Sequence, residues 1–264
     1  MTARCAAVLF CLALMRGAPA GAADEPALRV SAPHALVPLI TTMAARYTAA
    51  EVVQVTVSER SSNDGSAAVK TGEVDVAISD SAQGETGFND TTIAAVPFAV
   101  VVNPATGVDT LAPARIKALF EHAAAWKDAG GADLPLWTVE RPRRSATQSL
   151  LERALQLDTA RPAADAIEDS SSAVVRDVRA NRGAIGVIGL PFAGELSGIT
   201  VIKIGGAQPS GAAIAANTYP LFAYEHAVTF GSAPLSASRF VAFVRTQTAT
   251  WREAGFIPIR DLRR

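Results

Sequence analysis

Short apolar runs of strand character alternate with helix-spaced segments from residue 28 onward, and this alternation constrains the fold more than anything else in the chain. Leu28-Arg29-Val30-Ser31 reads as a first strand, closed by a turn at Pro33. Leu36, Leu39, Ile40, Met43 and Tyr47 recur at the spacing of one helical face, which predicts a helix from Leu36 to Ala50. Val53, Val55 and Val57 alternate with Gln54 and Thr56, the period-two pattern of a strand over Val52 to Ser58. A polar loop from Glu59 to Ser66 leads to a short helix ending near Lys70-Thr71-Gly72, and Val74 to Ser79 is the next strand. Such an order buries its apolar faces as an α/β layer structure with a largely parallel sheet.

The same logic carries through the rest of the chain. Val96 to Val102 is an apolar run ended by Asn103-Pro104, the expected crossing between two lobes. Helices are expected at Ala112 to Phe120, Thr147 to Leu157, Ala173 to Arg182 and Ala237 to Trp251. Strands are expected at Leu134 to Val139, Ala184 to Ile188, Ile199 to Ile204 and Leu221 to Thr229, with a turn at Trp126 to Gly131. The Gly/Ala/Pro-rich stretch Gly205 to Ala216 carries the chain back. At 264 residues and 49% hydrophobic, the chain can bury a real core in each of two lobes of about 100 residues. The expected division is a discontinuous lobe 1, residues 24–102 plus 206–264, and a lobe 2 of residues 103–205.

Residues 1–23 are a separate object. Arg4 precedes an apolar run from Ala6 to Met15, and the small residues Gly17 to Ala23 follow. A charged start, an apolar run of about ten residues and an Ala-x-Ala ending describe a secretory signal peptide, cleaved after Ala22 or Ala23. The run is too short to span a bilayer, which takes roughly 20 residues. Both cysteines, Cys5 and Cys11, fall inside it, so the expected mature chain has no disulfide, thiol nucleophile or thiolate metal site. No Leu-x-x-Cys pattern precedes the cleavage site, which argues against a lipid anchor. The expected product is a periplasmic, monomeric protein.

Charge narrows the function. The formal net charge is −1, and removing Arg4 and Arg16 makes it −3, which disfavours nucleic acid as a partner. His34, His122 and His226 are the only histidines, and the chain has no Gly-x-Ser-x-Gly elbow or His-Glu-x-x-His pair. Gly183, Gly186 and Gly189 do not make the dinucleotide fingerprint, and no Gly-Lys-[Ser/Thr] loop is present. No metal or cofactor is expected. A hydrolase built from Ser145, His34 and Asp80 remains the enzymatic alternative.

Three strand-to-helix turns carry the chemistry: Ser31 to Ala35, Ser61 to Ser66 and Arg141 to Thr147. In open α/β sheets such turns converge at the carboxyl ends of the strands, where ligands bind. Each helix start offers unpaired N–H groups and the positive end of a dipole, a ready anion site. Arg141 adds a guanidinium fork, and Ser145 and Thr147 add hydroxyls. Capture of a small tetrahedral anion is the implied chemistry, although Ser145 also has the character of a helix cap.

Arg141-Pro142-x-x-Ser145-x-Thr147 resembles the Arg-x-x-x-Ser-Gly-Thr anion loop of the periplasmic phosphate-binding receptors of ABC transporters, members of the wider type II solute-binding family. Gly72 to Asp80 resembles that family's aspartate-bearing strand, and Val101-Val102-Asn103-Pro104 its crossover. Ala184 to Val187, Tyr219-Pro220-Leu221 and Gly255 to Pro258 follow in the family's order. The resemblance implies an α/β, two-lobed type II fold with two crossover strands, inorganic phosphate as ligand, a membrane permease as partner and no catalysis. It implies Arg141, Ser145, Ala146 and Thr147 as ligands from lobe 2, and Ser62, Asp80, His34 and Ala35 from lobe 1. An ionised Asp80 only accepts hydrogen bonds, so it admits an anion that carries a proton and repels sulfate.

The departures concern the ligand. Ala146 stands where the family prefers Gly, Asn63 and Asp64 where it has glycines, and His34 near an expected threonine. Asp64 would weaken anion binding if it faced inward, and Arg143 and Arg144 add charge nearby. Sulfate, molybdate or an organic phosphate as ligand, or a sensor or adhesion role for the same fold, are the remaining alternatives.

Overall fold

The computed structural model describes residues 27–51, 53–143 and 145–262. The expected signal peptide with both cysteines, and Arg144, lie outside them. In chain order the elements are β1 (Leu28–Ala32), α1 (Val37–Glu51), β2 (Val55–Glu59), α2 (Ser62–Thr71), β3 (Val76–Ser79), β4 (Phe88–Val102), β5 (Thr110–Leu111), α3 (Pro113–Phe120), β6 (Trp137–Glu140), α4 (Ala146–Leu155), β7 (Ala166–Ile167), α5 (Ser171–Ala180) and β8 (Ala184–Gly189). They continue with β9 (Thr200–Val201), β10 (Lys203–Ile204), α6 (Gly211–Ala215), β11 (Phe222–Phe230), α7 (Leu235–Thr246), α8 (Thr248–Glu253), β12 (Ile257–Pro258) and α9 (Ile259–Leu262).

The sheet runs β2-β1-β3-β11-β4-β8-β6-β7. β1 pairs in parallel with β2 and β3, and β6 with β7 and β8, as crossover helices require. The centre departs from the largely parallel expectation. β11 is antiparallel to both β3 and β4, and β4 is antiparallel to β8. Two α/β halves therefore meet along a single strand: Phe88 to Pro97 of β4 pair with β11, and Phe98 to Val102 pair with β8. Only the second half of this strand is visible as an apolar run. Asn89, Asp90, Thr91 and Thr92 are polar, and pairing with β11 makes them strand.

Other boundaries moved for local reasons. α2 starts at Ser62, inside the expected loop, because the Ser61 side chain caps it by accepting from the Asp64 amide. The expected helix from Ala237 to Trp251 is two helices meeting at Gln247, and the expected strand Ile199 to Ile204 is split between β9 on β4 and β10 on β5.

The larger apolar cluster, which includes Ile40, Met43, Phe240 and Trp251 and reaches Leu151 and Ile185, runs through both halves. Each such side chain contributes about 1.5–3 kcal/mol. Two large buried side chains satisfy their polar ends: Tyr219 Oη donates to the Phe98 carbonyl at 2.7 Å and Trp126 Nε1 to that of Gly183 at 2.8 Å. A Cβ at Gly186 would lie 2.6 Å from Val174 Cγ1, so glycine lets α5 sit this close on β8. Among the described residues no helix is long and apolar enough to cross a membrane.

Candidate functional site

Two serine-capped helix starts face each other across one cleft. Ser61 caps α2 by accepting from the amide of Asp64 at 3.2 Å, and Ser145 caps α4 by accepting from the amide of Gln148 at 3.1 Å. Each cap satisfies the third amide of its helix and leaves the first two, Ser62 and Asn63 on α2, Ala146 and Thr147 on α4, without intrahelical partners. The outer cavity, about 490 Å³, is lined by Ser62, Asn63, Asp80, Ala146 and Arg153 among others. It continues into an inner pocket of about 150 Å³ whose lining includes Ala35, Asp80, Thr147, Phe98 and Glu225.

The lobe 1 side is internally tied. The Asp80 amide donates to the Ser62 hydroxyl at 3.1 Å, and the Ser81 hydroxyl donates to one Asp80 carboxylate oxygen at 3.1 Å. Asp80 itself is exposed to the cleft. Asp64 does not face inward: its carboxylate accepts from the Ser61 hydroxyl at 2.7 Å, and it lines a separate surface groove with Glu59 and Glu73.

On the lobe 2 side a buried polar network sets the start of α4. Gln148 is fully buried; its Oε1 accepts from the Arg141 amide at 3.1 Å, and its Nε2 donates to Glu140 at 2.6 Å and Glu152 at 3.2 Å. Arg161, with a side chain 4% exposed, donates to Glu140 at 2.8 and 3.2 Å and to Glu152 at 2.8 Å. Arg141 therefore joins the strand end to the helix start.

Of the sequence-derived candidates, the structure brings Ser62, Asp80, Ala35, Ala146 and Thr147 together in the cleft lining. Ser145 acts as the cap. Arg141 sits beside the cleft: its guanidinium donates to the Asp169 carbonyl at 2.6 Å, its Nε is buried without a hydrogen-bond partner, and burial lowers its pKa, partly offset by Asp169. His34 is exposed and its Nδ1 lies 2.9 Å from Glu59, not in the cleft lining. The imagined Ser145–His34–Asp80 relay is thus not assembled. Among the described residues no group of three His, Cys, Asp or Glu could hold a metal ion.

Two charged cleft residues, Arg153 and Glu225, were not foreseen from the sequence. Arg153 shares one stripe of α4 with Ala146, Ser149 and Leu150, a helical spacing that was available to read. Glu225, on β11, is 3% exposed, and its Oε2 is buried with no partner. Burial pushes its carboxyl well above the usual range, and the charge of Asp80 adds to the shift.

A family model for the PBP superfamily domain matches residues 17–247. In sequence, the chain is similar to the phosphate-binding protein PstS of Bacillus subtilis (strain 168), 29% identical over 247 residues that cover 89% of this chain and 82% of that protein. In structure, it is similar to an ABC-type phosphate transport receptor from Vibrio cholerae, with a TM-score of 0.72 and 22% identity, covering 87% of this chain and 98% of the other. PstS from Borrelia burgdorferi superposes with a TM-score of 0.71 and 19% identity, covering 89% and 99%. The likenesses in structure establish the fold, two α/β lobes about a cleft.

Proposed function

We propose, on the premise that this chain belongs to the PBP superfamily, that it is an exported receptor which captures inorganic phosphate between its lobes for an ABC importer. The observation that carries this reading is the meeting of two serine-capped helix starts, α2 and α4, across a cleft that also holds Asp80. Four unpaired amides and the positive ends of two dipoles suit an oxyanion. The likeness to the phosphate-binding protein PstS supports phosphate as that oxyanion.

In this mechanism the anion binds the amides of Ser62 and Asn63 and the Ser62 hydroxyl on lobe 1. The amides of Ala146 and Thr147 and the Thr147 hydroxyl then close from lobe 2, with Ser145 holding the helix start and Arg141 supplying positive charge beside it. Asp80 accepts the proton of hydrogen phosphate, which sulfate lacks near neutral pH. Closure hinges residues 24–102 plus 206–264 against 103–205 at the β4 crossing and the return stretch, and exclusion of water strengthens each hydrogen bond. The closed form docks on a permease. No covalent step is involved.

Calorimetry of the mature protein, stripped of endogenous ligand, tests this against phosphate, sulfate and molybdate. Phosphate binding that persists in excess sulfate is expected. Absence of phosphate binding overturns the receptor reading, and equal binding of sulfate overturns the role of Asp80.

A further inference from the structure

We infer that Glu225 is a second ligand-facing carboxyl group, which stays protonated in the cleft and donates its O–H to an unprotonated oxygen of the captured anion. The inference rests on the phosphate reading above and deepens it. Three observations place Glu225 there. It lines the inner pocket together with Asp80 and Thr147. It is 3% exposed, and its Oε2 makes no hydrogen bond within the protein. The β4–β11 register shifts between Glu225 and His226, the kind of irregularity that re-aims a side chain.

An orphan carboxyl oxygen in a pocket walled by Val96, Phe98 and Phe192 is costly unless a ligand completes it. Two carboxyl groups sharing such a site do not both ionise, and the more buried one keeps its proton. Burial and the Asp80 charge both raise the Glu225 pKa. Among the described residues, the surrounding charged groups offer no cation in compensation. His34 pairs with Glu59, Asp90 with His226 on the adjoining strands at 2.6 Å, Asp64 with Ser61, and Lys70 with Glu85. Arg141 donates to the Asp169 carbonyl, and Arg153 lines the outer cavity rather than the inner pocket.

The two acids then read complementary features of one guest. Asp80, ionised, requires a protonated oxygen, while Glu225, neutral, requires a bare one. Hydrogen phosphate presents both. Sulfate satisfies only Glu225, and a fully esterified phosphate would satisfy only Glu225 through its P=O oxygen.

Phosphate calorimetry on the wild type, Glu225→Gln and Glu225→Leu across the neutral to alkaline range tests this. Gln keeps a donor at every pH, and Leu has none. The Leu variant should bind about tenfold or more weakly than the Gln variant, as expected of a hydrogen bond to a charged group. Wild-type affinity should fall relative to the Gln variant as pH rises through the raised Glu225 midpoint. Equal affinities for Gln and Leu, or a wild-type-to-Gln ratio that stays flat with pH, overturn the inference. If the Leu variant does not fold, the pH course of that ratio decides alone. Wild-type protein that binds no phosphate removes the receptor reading itself, a result distinct from binding that is indifferent to residue 225.

Discussion

The amide of Asp80 donates to the hydroxyl of Ser62 across 3.1 Å, locking the end of β3 to the first residue of α2. Since the Ser62 oxygen accepts here, its own proton is free to point into the cleft. Ser62→Ala should weaken phosphate binding by about 0.5–1.5 kcal/mol in calorimetry, the range of a single neutral hydrogen bond. An unchanged affinity would take Ser62 out of the site.

Asp80→Asn replaces an acceptor-only group with one that also donates. Phosphate affinity should fall and sulfate affinity should rise, and a competition titration reads the ratio directly. Were both affinities to stay as in the wild type, Asp80 would have no part in selection.

The Glu140–Arg161–Glu152 cluster under α4 is buried and multiply bonded. Arg161→Ala leaves Glu140, 7% exposed, without its cation. Urea unfolding should show a loss of about 3–5 kcal/mol, as for other buried pairs deprived of one partner. A loss well under 1 kcal/mol would mean that water reaches Glu140 freely.

His34 is raised above the ordinary imidazole value by its hydrogen bond to Glu59 and then by that residue's charge. Folding therefore favours the charged imidazole. Its contribution is complete in acid, below the ordinary value, and is lost as pH climbs through the raised midpoint of the folded protein. Both side chains are exposed, so the effect is local. Proton NMR of the His34 ring should show a raised midpoint that drops in Glu59→Gln, and identical midpoints would rule the pairing out in solution.

Gly65 packs α2 on the sheet: a Cβ there would lie 2.9 Å from Ser31 Oγ and 3.2 Å from Ala77 Cβ. Gly65→Ala should cost about 1–3 kcal/mol of stability by thermal or urea unfolding, the range of overpacked sites. Stabilisation instead would show that α2 lifts away without penalty.

The alternation of strand and helix was legible because periodicity encodes which face is buried, and β1, α1, β8 and α5 fall close to where it puts them. What remained hidden depends on distant partners. Ser61 to Ser66 is loop-like in composition and becomes helix through one cap, while Asn89 to Thr92 becomes strand only beside β11. Most of the residues named on strand-to-helix turns line the cleft, since such turns converge by topology. Glu225 was not foreseen, because an acid within a strand reads as its solvent face, whereas here it is 3% exposed.

The position of β11 has a consequence for how the polypeptide is made. It lies between β3 and β4, yet comes from residues 222–230, after the whole of the other half. During synthesis from the N-terminus, both flanking strands keep bare edges until that late segment emerges from the ribosome, a state prone to aberrant pairing. The first sheet therefore closes only after residues 222–230 have been made, so its two flanking strands wait for a partner that the whole of the second half precedes.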